Sequence, residues 1–455
     1  MTRTAVRPAL LLLAAAALIG GLLPSAAAAE TLSDSTVAES WTLPNGLRVA
    51  TRSIPRAPIV IAIVAYPLGF EDDPPGREGL AHLMAEVAFM APAGDIPGRT
   101  RRELDSLRPR GWNIHVARRF THLAEAATPA QFPGVLRQVA TRMAGVTVSD
   151  DLVRAARTRV ASELRRDFAT RPDLALYYRL AQMAVGDPRR AADAWSDPRS
   201  LEAIATREVD EAIRRTYVPA NAVLSLAGDF RGINVRALVD REFGSLPAGT
   251  RMTPPARPDT LSAAARTETR SGIDHPVGGI GIIAPALTDS LHPSFFLSAL
   301  VLGAQCGKLW GEPASPLTSR FQYSILEEPD LVRFYPDVFA DQEDPDHLSR
   351  TLATMTYAVG QMNIPFDTVV RIKNSVLWLL GGPLPPDLLG QVQSTSGVLY
   401  NVCSSQATRT LWGGEAFWAD YRKRFDPYTS QNLDFWAGYV VNPARQVRLI
   451  FKPKR

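Results

Sequence analysis

Apolar and polar positions divide this chain into segments of two periods. Ile59 to Ala65 is continuously apolar and β-branched, the pattern of a strand covered on both faces. The acidic turn Glu71-Asp72-Asp73-Pro74-Pro75-Gly76 breaks it, and Gly79 to Met90 then predicts a helix. Ahead of these, Trp41 to Val49 holds Pro-Asn-Gly between two short extended pieces and predicts a hairpin. Residues 111–116 and 120–126 predict a second hairpin. Helical periodicity covers 100–107, 133–143 and 150–167, the last behind Ser149 as N-cap, and returns in Arg207 to Tyr217.

The pattern then repeats. The helix ending at Tyr217 runs into Val218-Pro219-Ala220 and an alternating strand, and near the C-terminus helix 432–439 runs into Val441-Asn442-Pro443-Ala444 and another. Strand, turn and helix from Val60 onward are echoed by Gly278 to Ala284, the Asp289 turn and the helix Pro293 to Leu302. The offsets are similar, 224 residues between Pro219 and Pro443 and 218 between Val60 and Gly278. Two echoes in order at one offset predict a duplicated architecture. Residues 246–272 are rich in proline, alanine, threonine and arginine, the composition of an exposed linker, so the halves are placed at 30–245 and 273–455. The run Gly278-Gly279-Ile280-Gly281 lacks the helix and acidic partner of a dinucleotide site, and close strand packing accounts for it.

Composition changes this picture mainly at the N-terminus. Arg3 and Arg7, the apolar run 9–23 and Ala27-Ala28-Ala29 have the form of a secretory signal peptide over residues 1–29. That run is shorter than the roughly 20 residues of a bilayer span, and no cysteine lies near the cleavage point for a lipid anchor, so a periplasmic or otherwise exported protein without a membrane anchor is expected. The formal net charge is +4, of which Arg3 and Arg7 supply two, too little to argue for nucleic acid. Cys306 and Cys403 are the only cysteines. One disulfide and two buried thiols are both open readings.

The chemistry centres on helix 79–90. His82 and Glu86 are four apart and share one helical face, with Ala85 beside them. A hydrolytic zinc site needs imidazole or carboxylate ligands, an open position for water and a base beside that water. The string H-x-x-E-H supplies two ligands and the base from one helix. Here the string is His82-Leu83-Met84-Ala85-Glu86, with alanine in the base position.

These residues resemble the pitrilysin/insulinase family of inverted-motif zinc metallopeptidases, over nearly all of the chain after residue 29. Leu43-Pro44-Asn45-Gly46-Leu47 is similar to that family's opening hairpin, and Gly79-Leu80-Ala81-His82 with Ala88-Phe89 to the shoulders of its metal helix. Glu163, 77 residues after Glu86 within Val160-Ala161-Ser162-Glu163-Leu164, stands where the family has its third ligand. The resemblance implies His82, Glu86 and Glu163 as a weakened zinc set, with no catalytic base. Arg159 and Arg166 flank Glu163 at helical spacing, and a helix-surface ion pair accounts for that glutamate equally well. A glutamate usual seven before the third ligand is Ala156 here.

The resemblance further implies an α+β fold of two homologous halves, each a mostly antiparallel sheet with helices packed on it, of the LuxS/MPP-like metallopeptidase type. It implies a peptide held along the strand that carries Asn113 and Ile114. His115 and His122 on that hairpin are read as exposed strand positions, or alternatively as replacement ligands. In the second half, Ser319-Arg320-Phe321-Gln322 matches a family motif whose arginine and tyrosine hold substrate, with Leu326 and Arg333 at those two positions. The expected role is the non-catalytic subunit of a heterodimeric peptidase, partnered by an active subunit of the same family and helping to bind peptide. An active metalloendopeptidase with an atypical His/Glu/Glu site, and a peptide-binding or assembly protein without proteolysis, are the alternatives.

Overall fold

A computed structural model describes residues 37–100, 113–187, 198–253, 261–309, 321–335, 344–360, 362, 364–384, 396–425 and 430–454. The expected signal peptide and, apart from Thr100, the expected helix over 100–107 lie outside these residues, as does the side chain of Cys306.

The strands are β1 (Val37–Thr42), β2 (Arg48–Ser53), β3 (Val60–Tyr66), β4 (Asn113–Val116), β5 (Thr121–Ala127), β6 (Val223–Gly228), β7 (Ala264–Arg270), β8 (Val277–Ile283), β9 (Phe321–Gln322), β10 (Leu331–Phe334) and β11 (Gln446–Pro453). They form two sheets, ordered β1-β2-β6-β3-β5-β4 and β7-β11-β8-β10-β9. Omitting β1, the orders correspond strand for strand. So do the directions, since β2 with β6 and β7 with β11 are the parallel pairs and the remaining pairs are antiparallel. The fold is thus the duplicated, mostly antiparallel α+β architecture expected. One part of the reading needs correction. Residues 246–272, expected to be a linker, carry β7, the second sheet's counterpart of β2, so the exposed connection ends before Ala264. Its polar alternation hid it, because β7 is an edge strand with half-buried and exposed residues throughout.

Among the described residues twelve helices cover the sheets: α1 (Leu80–Met90), α2 (Phe132–Ala144), α3 (Asp150–Thr170), α4 (Pro172–Val185), α5 (Thr206–Thr216), α6 (Val235–Phe243), α7 (His292–Leu309), α8 (Pro345–Gly360), α9 (Phe366–Leu377), α10 (Ser396–Leu411), α11 (Gly414–Lys423) and α12 (Ser430–Val440). Strand β3 is buried at every position because both faces are covered. Val60, Ala62, Val64 and Tyr66 pack in the core under α1, α2 and α5. Ile61, Ile63 and Ala65 join a second core with Cys403 and Ala407 of α10.

Each half therefore lends a helix to the other's sheet. Helix α10 lies on β3 and β6, while α4 lies on β8 and β11. Their first residues, Pro172 and Ser396, are 224 apart, the repeat offset seen in the sequence. Gly279 of β8 eases the second crossing. A Cβ on Gly279 would come within 3.1 Å of Leu180 and Tyr335, so side chains there would push α4 away. Each sheet's core is completed by the opposite half.

Candidate functional site

Helix α1 is set by a buried carboxylate at its start. Asp73, from the acidic turn, accepts hydrogen bonds from the backbone N–H groups of Gly79 (2.7 Å) and Ala81 (2.8 Å), satisfying donors that a helix N-terminus leaves open. Gly79 sits at φ +97°, and a Cβ there would meet Leu201 at 2.3 Å, so the position demands glycine twice over. From this anchor α1 packs Leu83, Met84, Val87 and Ala88 into the first core and turns His82 and Glu86 toward neighbouring elements.

Those two side chains meet different surroundings. His82 is half-buried, its ring stacked against Phe70 with centroids 6.4 Å apart. Burial, then the nearby His115, pushes its pKa down to about 4, so the imidazole is neutral. Glu86 is 8% exposed and forms an ion pair with the guanidinium of Arg159, on α3. Arg159 also lies in the field of Glu163, one turn further along α3, which opposes the lowering of its pKa by burial. Ala85 is fully buried.

The residues implied for zinc do not fit the metal. Among the described residues no three His, Cys, Asp or Glu side chains form a group able to hold one. Of His82, Glu86 and Glu163, Glu86 is engaged by a permanent cation, and a guanidinium does not give up its charge at any physiological pH. Arg159 feels the charge of Glu163 on its own helix, as its spacing suggests, and also pairs with Glu86 across the α1–α3 contact. Spacing along one helix shows only partners on that helix, so this one was missed.

The peptide-strand candidates are brought together, whereas the histidines beside them are not exposed. Asn113 and Ile114 lie on β4, the last strand of the first sheet, paired to β5 with Asn113 opposite Ala124 and Ile114 opposite Leu123. His115 and His122 stand opposite one another, on the face of the strand pair away from Ile114 and Leu123. Both were expected to be exposed, yet they fill the seam between the halves. His122 is fully buried within hydrogen-bond reach of the hydroxyls of Ser404 (3.3 Å) and Thr408 (3.4 Å) on α10, and burial drives its pKa well down. His115 lies 3.3 Å from the Glu327 carboxylate.

That seam is ionic at its centre. Arg118, fully buried, donates to Glu71 (2.6 Å) and with both terminal nitrogens to Asp330 (2.9 and 2.7 Å), while Arg119 reaches the same two carboxylates. Burial would raise the Asp330 pKa, but Arg118 and then Arg119 hold it down to about 2. The second-half pair read from the family motif serves packing instead. Leu326 belongs to the core, and Arg333 is buried against Glu328 with its guanidinium 3.9 Å from the Tyr177 ring centroid. Cys403 is a free buried thiol whose sulfur lies 3.2 Å from the Ser225 carbonyl oxygen, across the seam.

Comparison with known proteins agrees with this architecture. No known family's sequence profile and no curated protein matches the chain. Solved structures do. A protease from Helicobacter pylori superposes with a TM-score of 0.73 at 17% identity, covering 92% of this chain and 100% of its own. A peptidase M16 inactive domain from Pseudomonas fluorescens gives 0.66 at 14%, covering 92% and 98%. The periplasmic protease PqqL from Escherichia coli gives 0.64 at 16%, covering 92% of this chain and 47% of PqqL. The fold is that of the M16-like, pitrilysin/insulinase-type peptidases, at about half the length of PqqL.

Proposed function

We propose that this chain is an exported member of the pitrilysin/insulinase family that acts as the non-catalytic subunit of a two-chain metallopeptidase. Residues 1–29 would direct export, the halves expected at 30–245 and 273–455, the second extended to take in β7, would form its two homologous domains, and a second family chain with an intact H-x-x-E-H helix would supply catalysis. One observation carries the reading: Arg159 is paired to Glu86 at the position of a metal ligand, beside a buried alanine where the water-activating base belongs. Loss of a general base costs about 10² to 10⁴ in rate. Losing a ligand to an arginine removes the Lewis acid as well.

The half-length match to PqqL supports pairing with a second chain of similar size. Strand β4 supports a retained share in peptide binding. It ends the first sheet, and an extended peptide that adds to an edge uses main-chain hydrogen bonds that side-chain changes leave intact. Asn113 and Ile114 would take part in that contact. The alternative of a binding or assembly protein without any proteolytic partner rests on the same edge.

The purified protein is expected to cleave neither casein nor quenched fluorescent peptides, with or without added zinc. Cleavage that a chelator abolishes would overturn the proposal. Co-purification with a chain of similar length that bears H-x-x-E-H, and that loses activity when separated, is the positive result.

A further inference from the structure

At the opposite end of the first sheet from β4, a cavity of about 620 Å³ opens between the β1–β2 hairpin and the second half. Arg48 and Arg52 of β2 and Arg409 of α10 line it. Gly381, Gly413 and Gly414, all at positive φ, form another part of the wall and put no side chain into the space. Its size is in the range of small-molecule sites.

The arginines divide by what they already do. Arg48 donates to the Thr410 carbonyl near the end of α10 (2.8 Å), Arg409 to that of Leu379, and Arg422, just behind the wall, to that of Leu380 and to Glu415 (2.9 Å). Capping of helix and turn carbonyls thus explains one nitrogen each on Arg48 and Arg409. The Nε atoms of both are buried without a hydrogen-bond partner. Arg52 is different. It is 6% exposed, and among the described residues its guanidinium has no hydrogen-bond partner, only the nearby charges of Glu415 and Arg422. Unlike the Nε atoms of Arg48 and Arg409, its nitrogens are not fully buried, so they are open to the cavity. Two carboxylates, Glu39 and Glu415, face three lining arginines plus Arg422, and Glu415 is held by Arg422. Burial pushes the Arg409 pKa down to about 9, with Glu415 opposing and Arg52 and Arg422 adding to the fall.

We propose that this cavity binds a small oxoanion-bearing ligand, a phosphate or a carboxylate, held chiefly by Arg52 with Arg48 and Arg409. Guanidinium groups pair with two oxygens of such anions at once, and the cavity is large enough for the body of a small ligand. The site is independent of the α1 region and of any peptidase role. It lies between elements of both halves, so an anion there would also fasten β2 to α10.

Thermal unfolding of the full mature chain, titrated with inorganic phosphate, with citrate and with sodium chloride at matched ionic strength, tests the site. Phosphate or citrate is expected to raise the midpoint in a saturable way that chloride does not reproduce. The responding anion identifies the source as phosphate or carboxylate. Arg52→Gln is expected to weaken that anion at least about tenfold, the ratio that one charge-assisted hydrogen bond sets. Glu39→Gln on the exposed strand β1 removes an opposing charge and is expected to tighten it. If no oxoanion outperforms chloride the proposal fails. It fails equally if Arg52→Gln, or Arg48→Gln should the first not fold, responds like the unaltered protein.

Discussion

The helices that follow the second matching strand of each sheet occupy equivalent places and hold their polar residues differently. In the second half, α7 opens with His292, fully buried, whose Nδ1 lies 2.7 Å from the Tyr421 hydroxyl and whose Nε2 lies 3.1 Å from the Pro329 carbonyl oxygen. Both ring nitrogens have neutral partners, and the ring is part of a core. In the first half, α1 holds His82 against Phe70 and Glu86 against the guanidinium of Arg159. One helix satisfies its polar group with hydrogen bonds from its own half's core, while the other relies on a charge from a neighbouring helix. A polar residue kept at a buried position does not by itself signal a site, because its partner decides whether it is free to bind anything.

The largest effect should come from the seam that joins the two halves. Arg118→Leu leaves Glu71 and Asp330 with Arg119 as their nearest remaining arginine, and a loss of about 3 kcal/mol in urea unfolding is expected, the lower end for a broken buried ion pair. If that variant unfolds like the parent, the halves are held by apolar packing alone. Next, Arg159→Ala should cost about 2 kcal/mol, because Glu86 is then left buried without its cation. Replacing both groups, Glu86→Gln with Arg159→Met, should restore part of that loss. A double variant as unstable as the single one would break the contrast drawn between α1 and α7.

Acid should sharpen the same contrast. Burial, against the pull of the Pro329 carbonyl, lowers the His292 pKa to about 4, below its ordinary value near 6.5. The unfolded chain therefore binds the extra proton first, and stability is intact above pH 6.5. It should fall by about 1.4 kcal/mol per pH unit from this group between 6.5 and 4, and level off below. His82 and His122 shift in the same direction. Denaturation midpoints measured from pH 7 to 4 should show the decline, and His292→Gln should flatten part of it. The smallest effect belongs to the surface. Arg207 and Glu211 pair at 2.5 Å with side chains 86% and 59% exposed, and Arg207→Ala should leave the denaturation midpoint unchanged.

Much of this molecule was legible from local pattern. The run at Val60, the glycines of β8, the Pro219 and Pro443 turns and the repeat offset all follow from what a buried strand, a close crossing or a turn requires of its own residues. The character of position 85 was legible too, since an alanine cannot take a proton wherever it lies. Strand β7 was not legible, because an edge strand with no fully buried face carries little periodic signal. The burial of His115 and His122 was hidden for a different reason, as their cover comes from Glu327 and α10 in the other half.

By itself the sequence determined most of the elements, their duplication and the lack of an ionisable group at Ala85. These depend on side chains acting on their own backbone or on residues a few positions away. Tertiary structure alone decided the partners. It placed Arg159 on Glu86, Arg118 on Asp330, and α4 and α10 on each other's sheets, and it left Arg52 facing a cavity. Charge interactions depend on separation in space, not along the chain, so only the folded arrangement shows which carboxylate an arginine meets.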